Sequence, residues 1–334
     1  MSPASRTSVS DDWRPTASIE NIRLRAALLA KTRAFFAARD VLEVETPLLS
    51  AATVSDPHLQ SFTTRYNGPG LPANTPLYLQ TSPEVAMKRL LAAGSGSIYQ
   101  LCKAFRDGES GAYHNPEFTM LEWYRVDFDH FILMDEVEAY VQNLLDLKGA
   151  FERASYRAIF QRHLDLDPHL APLEVLWRCA VDAEIAHEYE IDALSRDGWL
   201  DLLMTHLIEP YLGLEQPLFV YDYPASQAAL AQIRIEDGIA LAERFELYVT
   251  GMELANGYHE LRDAGELLSR NEIDRVIRLA NGQDLPACQR SLQAALEAGL
   301  PASAGVALGF DRLVMLHATV DVIDEVITFP VQKA

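Results

Sequence analysis

The sequence predicts an α+β fold, a largely antiparallel sheet with helices packed against it. Strand-like segments recur near both ends of the chain, mostly helical segments fill about 130–210 between them, and no regular strand–helix alternation runs through the 334 residues. With 49% hydrophobic and 9% aromatic residues, evenly spread, the chain can bury a large core, and disorder is excluded for most of its length. Its 28 basic and 48 acidic residues give a net charge of −20 at pH 7. A nucleic-acid binder gathers Lys and Arg along one face to neutralise phosphates. Here acids outnumber bases and no block of basic residues occurs, so extensive contact with tRNA is not expected. No stretch reaches the roughly 18 uncharged apolar residues of a membrane span. The first residues carry Arg6, Asp11, Asp12 and Arg14 in place of a signal peptide's apolar run. A cytoplasmic location with no membrane partner is the expectation.

Residues 1–17 read as a loose, flexible tail and 18–334 as a single domain. Ser18 is placed to cap a helix carrying Ile19, Ile22, Ala26, Leu29 and Phe36 on one face and ending near Asp40. Residues 41–46 read as a strand stopped by Pro47, and 77–80 as a short one after a Gly/Pro loop. Ser82-Pro83-Glu84 opens the next helix, with Ser82 as cap and Pro83 at its first position. Residues 98–105 and 117–125 are strands around a loop led by Asp107-Gly108-Glu109. Pro168 and Pro172 break the helical middle. Strands return at 217–221 and across 243–261, helices at 263–280 and 287–299, and 305–309 leads into a last helix from Phe310. Cys102, Cys179 and Cys288 are widely spaced and form no CxxC, which suits buried free thiols.

Chemistry concentrates in 244–260. If Thr250-Gly251 makes a two-residue hairpin, Tyr248 faces Glu253 and Glu246 faces Ala255. Glu246 and Glu253 then become diagonal neighbours, and two carboxylates so placed repel unless a cation such as Mg²⁺ lies between them. A solvated acidic face is the plain alternative. Asn256, Tyr258 and Glu260 share a face by the strand period, and Glu253 joins them if Gly257 or its neighbour makes a bulge. Such a face suits a small cationic molecule. Phe118, Met120, Glu122 and Tyr124 line one side of the strand upstream, and Arg106 can meet it with a guanidinium suited to phosphate or carboxylate. Gly305 to Arg312 is a glycine-punctuated strand entering a helix, where a ligand can approach the backbone and Arg312 can reach its phosphates. Core packing with an Asp311–Arg312 surface pair would account for the same pattern.

These residues resemble the class II lysyl-tRNA synthetases. Phe105-Arg106 with His114-Asn115-Pro116-Glu117-Phe118-Thr119-Met120-Leu121-Glu122 is similar to the family's motif 2. Leu308-Gly309-Phe310-Asp311-Arg312 is similar to motif 3, and Val44-Glu45-Thr46-Pro47 to the dimer-forming motif 1. Thr81-Ser82-Pro83-Glu84 and the stretch from Glu253 to Glu260 also fit, so the resemblance spans roughly 18–330. It implies a synthetase-like catalytic core, here with a helical insertion at about 130–210 and without the anticodon-binding domain. That lack and the negative charge match a truncated branch of the family whose members act on elongation factor P. Tyr221 to Gln232 and Ser303 to Gly309 look like that branch, and Ala307 stands where the synthetases usually have glycine.

The resemblance implies an ATP- and Mg²⁺-dependent ligase that activates (R)-β-lysine, and lysine more weakly, as an adenylate and passes it to a lysine of elongation factor P. A homodimer through motif 1 is implied as well. Arg106 would hold the α-phosphate and substrate carboxylate and Arg312 the γ-phosphate, the two catalytic residues. Phe118 would stack on adenine, and Asn115, Asp107, Gly108, Glu109 and the backbone near Leu247 and Gly309 would line the nucleotide. Glu246 and Glu253 would bind Mg²⁺. Ser82, Pro83, Glu84, Glu122, Tyr124, Glu253, Asn256, Glu260 and Ala307 would surround the amino acid. One departure is visible: the family has glutamate two residues after the motif 2 arginine, and here it arrives at Glu109, so Glu109 or Asp107 fills the role. A minimal tRNA-charging enzyme and a non-catalytic amino-acid-sensing dimer are the alternatives.

Overall fold

A computed structural model describes residues 13–187, 191–287 and 289–334. Most of the predicted tail (1–12) and Cys288 lie outside the described residues. The chain begins with α1 (Ile19–Ala37), β1 (Leu42–Glu43), β2 (Leu49–Ser50), β3 (Thr63–Tyr66), β4 (Thr75–Leu79), α2 (Glu84–Ala92), β5 (Ile98–Phe105) and β6 (Glu117–Val126). Then come α3 (His130–Leu145), β7 (Glu152–Ser155), α4 (Tyr156–Leu164), α5 (Leu173–Asp182), α6 (Arg196–Leu203), β8 (Leu218–Pro224) and β9 (Ile233–Glu236). The last third holds β10 (Ile239–Val249), β11 (Met252–His259), α7 (Ala264–Ala280), α8 (Arg290–Gly299), β12 (Ser303–Gly309) and α9 (Phe310–Ala318).

The main sheet runs β1-β5-β6-β12-β11-β10-β8-β7, with β9 added beside β10. Only the two ends pair in parallel, β1 with β5 and β7 with β8. The antiparallel centre allows each strand one face for the core and one for a ligand, by the alternation of side chains. Trp123, Leu247, Val306 and Leu308 point into the largest core, against α1, α3 and α9. A second core joins β8 and β10 to α4 and α6, and a third packs α2, α7 and α8 near Tyr124.

Local chemistry explains the helix boundaries. Ser18 accepts the Asn21 amide and Asp129 the Ile132 amide, each supplying an oxygen to an otherwise unpaired helical N–H. Four expectations need correction. The buried face of α1 is Leu28, Thr32, Phe35 and Phe36, whereas Ile19 and Ala26 are exposed, because α1 packs on the sheet through its C-terminal half. Ser82 does not cap α2; Pro83 takes the cap position with no side-chain bond, and the helix starts at Glu84. The tail is docked by residue 16, where the Thr16 amide donates to the Thr328 carbonyl 3.0 Å away, and Ala17 is buried. The free thiols Cys102 and Cys179 are only half-buried.

Candidate active site

The register of four central strands assembles the site. Glu122 pairs with Ala307, Ala307 with Asn256, and Asn256 with Glu246, forming one row across the sheet. The next row runs Tyr124, Gly305, Tyr258, Arg244. Both rows face a cavity of about 1240 Å³, which α2, α7 and the loop before β3 also border.

The β10–β11 hairpin turns at Thr250-Gly251, with φ of 51° and 76° as a type I′ turn requires. Tyr248 pairs with Glu253 as expected, but Glu246 pairs with Asn256 and not Ala255. A bulge next to the turn, at Leu254, inserts the extra residue; the anticipated position at Gly257 was too far along. Its effect is the one the chemistry needs, since Glu253 and Asn256 now share the cavity face. Gly257 instead gives room to Phe245, whose ring carbon would lie 2.4 Å from an added Cβ.

One end of the cavity is strongly acidic. The buried Lys88 ammonium bonds Glu84 at 2.7 Å and Glu260 at 2.6 Å, and the Tyr124 hydroxyl donates to Glu122 at 2.7 Å. Burial opposes the charge on Lys88, yet the two carboxylates raise its pKa. Glu122 is pushed up to about 8, first by burial and then by the negative charge of Glu84. Glu260 rises to about 7, with burial the largest cause. Glu122 Oε2 and Asn256 Oδ1 are buried and accept no hydrogen bond from the protein. Three carboxylates against one ammonium, with two idle acceptors, form a receptor for cationic nitrogen.

The other end carries the arginines. Arg106 lies 5.1 Å from the Phe118 ring centroid and 3.6 Å from Glu109. Arg312, in the first turn of α9, donates to the Glu253 carbonyl and to His114 Nε2, the latter at 2.7 Å. Burial and then Arg312 itself lower the His114 pKa, which keeps that imidazole a neutral acceptor. Asp311 is no surface partner of Arg312: it is buried, 2.6 Å from Arg25, and accepts the Thr119 amide.

Between the two ends lies a carboxylate group suited to a hard cation. Glu246 accepts from Tyr223, Tyr248, Arg244 and Asn256, which occupies its four lone-pair positions. Glu253 and Glu209 are less engaged. Burial and then the Glu246 charge raise both, Glu209 to about 7. An all-oxygen set with unrelieved repulsion fits Mg²⁺, with Glu253 and Glu209 the freer ligands and Glu246 able to join only by releasing a donor.

Of the anticipated residues, Ser82, Glu84, Arg106, Glu109, Asn115, Phe118, Glu122, Tyr124, Glu246, Glu253, Asn256, Glu260, Ala307, Gly309 and Arg312 border the cavity. Pro83, Asp107, Gly108 and Leu247 do not. Leu247 points into the core, and of the two candidate acids Glu109 borders the cavity and Asp107 does not. Asn115 is tied by its own bonds to the Glu117 carbonyl and the Val331 amide. Lys88, His114, Glu209, Tyr223 and Arg244 were not anticipated. Lys88 had a signal in its spacing of four from Glu84 on a helix, Arg244 in its spacing of two from Glu246 on a strand, and His114 in its place in the motif 2 stretch; Glu209 sits in an irregular turn.

The family of tRNA synthetases class II (D, K and N) matches residues 7–333. The chain belongs to this family. Within it, the elongation factor P–(R)-β-lysine ligase of Enterobacter sp. (strain 638) is 50% identical over 322 residues, covering 96% of this chain and 98% of that protein. Proteins of the same name from Edwardsiella ictaluri (strain 93-146) and Salmonella dublin are 50% and 51% identical over the same extents. The resemblance of the motifs and the family membership therefore agree, and the antiparallel sheet holding them is the one expected. No helix among the described residues is long and apolar enough to cross a membrane.

Proposed function

We propose that the protein activates (R)-β-lysine with ATP and attaches it to a lysine side chain of elongation factor P. The observation that carries this is the acidic end of the cavity, where Glu84, Glu122 and Glu260 surround Lys88 and two buried acceptors lack donors. A diamino acid brings two ammonium groups to that place. The Ala307 methyl, between Glu122 and Asn256 in the strand row, would narrow the cavity floor beneath the amine-bearing carbon. The named function of the relatives points the same way.

In the first step a carboxylate oxygen of the amino acid attacks the α-phosphorus of ATP, and the bond to the bridging oxygen of pyrophosphate breaks. Arg106 orients the carboxylate and α-phosphate, Arg312 neutralises the far phosphates, and Phe118 offers a face to adenine. Glu253 and Glu209 would hold Mg²⁺, joined by Glu246 once it releases a donor, and the ion would supply charge neutralisation on the phosphate oxygens. No protein nucleophile is needed, because positioned positive charge stabilises the transition state. In the second step the deprotonated amine of the acceptor attacks the activated carbonyl; the new C–N bond forms as AMP leaves. Holding the adenylate at the cavity mouth makes this attack effectively intramolecular.

The catalytic unit is 18–334, acting in the cytoplasm; its mostly helical stretch at about 130–210 is no separate insertion throughout, since α3 packs in the largest core and β7 pairs with β8 in the main sheet. Leu42, Leu48 and Leu49, in and beside β1 and β2, are exposed apolar side chains flanking the motif 1 stretch, which a homodimer through that stretch would cover. Intact-mass analysis after incubation with ATP, Mg²⁺, (R)-β-lysine and either elongation factor P or unfractionated tRNA tests the proposal. Mass gained by elongation factor P, with no label on tRNA, is expected. Label on tRNA alone overturns it in favour of a minimal synthetase, and absence of pyrophosphate release overturns the enzyme altogether.

A further inference from the structure

On the opposite face of the sheet from the cavity, three ligand-type side chains converge. His130 begins α3, Glu243 lies on β10 and His259 on β11, and one potential ligand atom from each falls within 4.8 Å of the others. His259 Nδ1 is 2.5 Å from Glu243 Oε2, and the two imidazole rings lie nearly parallel, 6.5 Å apart at their centroids. The second observation is independent of this clustering. His130 is only 2% exposed, yet neither of its ring nitrogens has a hydrogen-bond partner. Its nearest carboxylate, Asp222, is 3.9 Å away and already gripped at both oxygens by Arg234. A neutral imidazole carries one donor and one acceptor, and leaving both idle in the interior is costly.

We propose that His130, Glu243 and His259 form a binding site for a divalent transition-metal ion, best suited to Zn²⁺. Two imidazole nitrogens with one carboxylate oxygen are the donor set of a borderline ion, whereas Mg²⁺ and Ca²⁺ favour oxygen-only sites. Three protein ligands leave a fourth position to water. Metal–nitrogen bonds of about 2.0–2.1 Å require the close His259–Glu243 contact to open and His130 to swing inward, movements within reach of side-chain rotation. Burial holds the His130 imidazole down to about 4, against the opposing charges of Glu243, Asp222 and Asp129, so the ring is in its ligating form at neutral pH. The Arg234 charge is paired with Asp222 and so partly compensated by it.

The position gives the ion a consequence. His259 stands between Tyr258 and Glu260, which border the substrate cavity, and Glu243 precedes Arg244, which holds Glu246. A bound ion would tie α3 to the two strands that carry those groups and stiffen the cavity wall from behind. The site is separate from the Mg²⁺ ligands and does not depend on the proposed reaction.

The test is a Co²⁺ titration of the tag-free, chelator-treated full-length protein, without ATP or Mg²⁺, followed by visible absorption and thermal melting. One Co²⁺ per chain, with d–d bands displaced by Zn²⁺ and a Tm raised by Zn²⁺, is expected. His130→Ala should remove the bands, and because that variant fills its space poorly, His259→Asn and Glu243→Gln serve as isosteric controls expected to weaken binding at least tenfold while folding normally. No bands and no Zn²⁺ effect on Tm in the wild type would overturn the site and leave a water-bridged polar cluster. So would bands that persist in all three variants.

Discussion

At Gly305 an added methyl would lie 2.3 Å from the Tyr124 ring and 2.4 Å from Glu260 Oε1, so the glycine is what allows these two walls to meet over the strand. Gly305→Ala should raise KM for the amino acid about tenfold or more by displacing both groups, while KM for ATP stays nearly constant; pyrophosphate exchange measures both. The two raised carboxyls set a pH dependence. Glu122 at about 8 and Glu260 at about 7 are partly protonated near neutrality, so binding a diammonium substrate must release protons. KM for (R)-β-lysine should fall as pH rises toward about 8, and titration calorimetry in buffers of different ionisation enthalpy should detect the released protons. For stability the sign is reversed. A carboxyl whose folded pKa is raised stabilises the ligand-free fold fully below its ordinary pKa and loses that contribution as pH rises through the raised value. The ligand-free wild type should therefore lose Tm relative to Glu122→Gln between about pH 5 and 9, and a constant difference would refute the assignment. Glu122, Glu260 and Asn256 were legible in the sequence because strand alternation places them on one face. Glu209 was not, since an irregular turn leaves no periodic trace, whereas Arg244 shares the strand face of Glu246 by the same period of two and was open to the same reading.

Among the elements, α1 and α9 are joined through a buried charge. Asp311 bonds Arg25 at 2.6 Å and accepts the Thr119 amide, while Arg25 also donates to Thr119 Oγ1. This places Arg312, one residue on, at the cavity. Asp311→Ala should cost about 3 kcal/mol by stranding Arg25, read by urea unfolding, with a larger loss in pyrophosphate exchange than in stability-matched controls. Combining Arg25→Met with Asp311→Asn should recover much of the stability; no recovery would mean the pair is not what holds the helices. The sequence leaves this pair unread because Arg25 and Asp311 are distant in the chain and each looks like a surface charge. The hairpin shows a similar limit. Thr250-Gly251 was readable as a turn, but the bulge at Leu254, between the Tyr248–Glu253 and Leu247–Ala255 pairs, has no local signature in the sequence. The strand and helix boundaries near Pro83 and Ala37 differ from expectation by a few residues because packing decides where a marginal turn ends.

Over the whole molecule, a charge of −20 surrounds a cavity whose rim includes Asp56, Glu109, Asp197, Glu266 and Asp274. A lysine ammonium approaching that mouth is drawn in by a long-range field, and attraction of this kind raises the encounter rate more than it deepens binding. The first step has no such dependence on the rim, because ATP is itself an anion and the arginines proposed to hold its phosphates, Arg106 and Arg312, border the inside of the cavity. Salt should therefore separate the two steps. Raising ionic strength from about 0.01 M to 0.15 M shortens the screening length from about 30 Å to 8 Å, so kcat/KM for the protein acceptor should fall several-fold. Pyrophosphate exchange, measured without acceptor, should be far less affected or rise slightly as the repulsion of ATP is screened. Neutralising the rim with Asp197→Asn and Glu266→Gln together should reproduce the loss at low salt and flatten the salt response. A salt response that is equal in both steps would place it in nucleotide binding, and one that survives the double substitution would move the acceptor's path to another face.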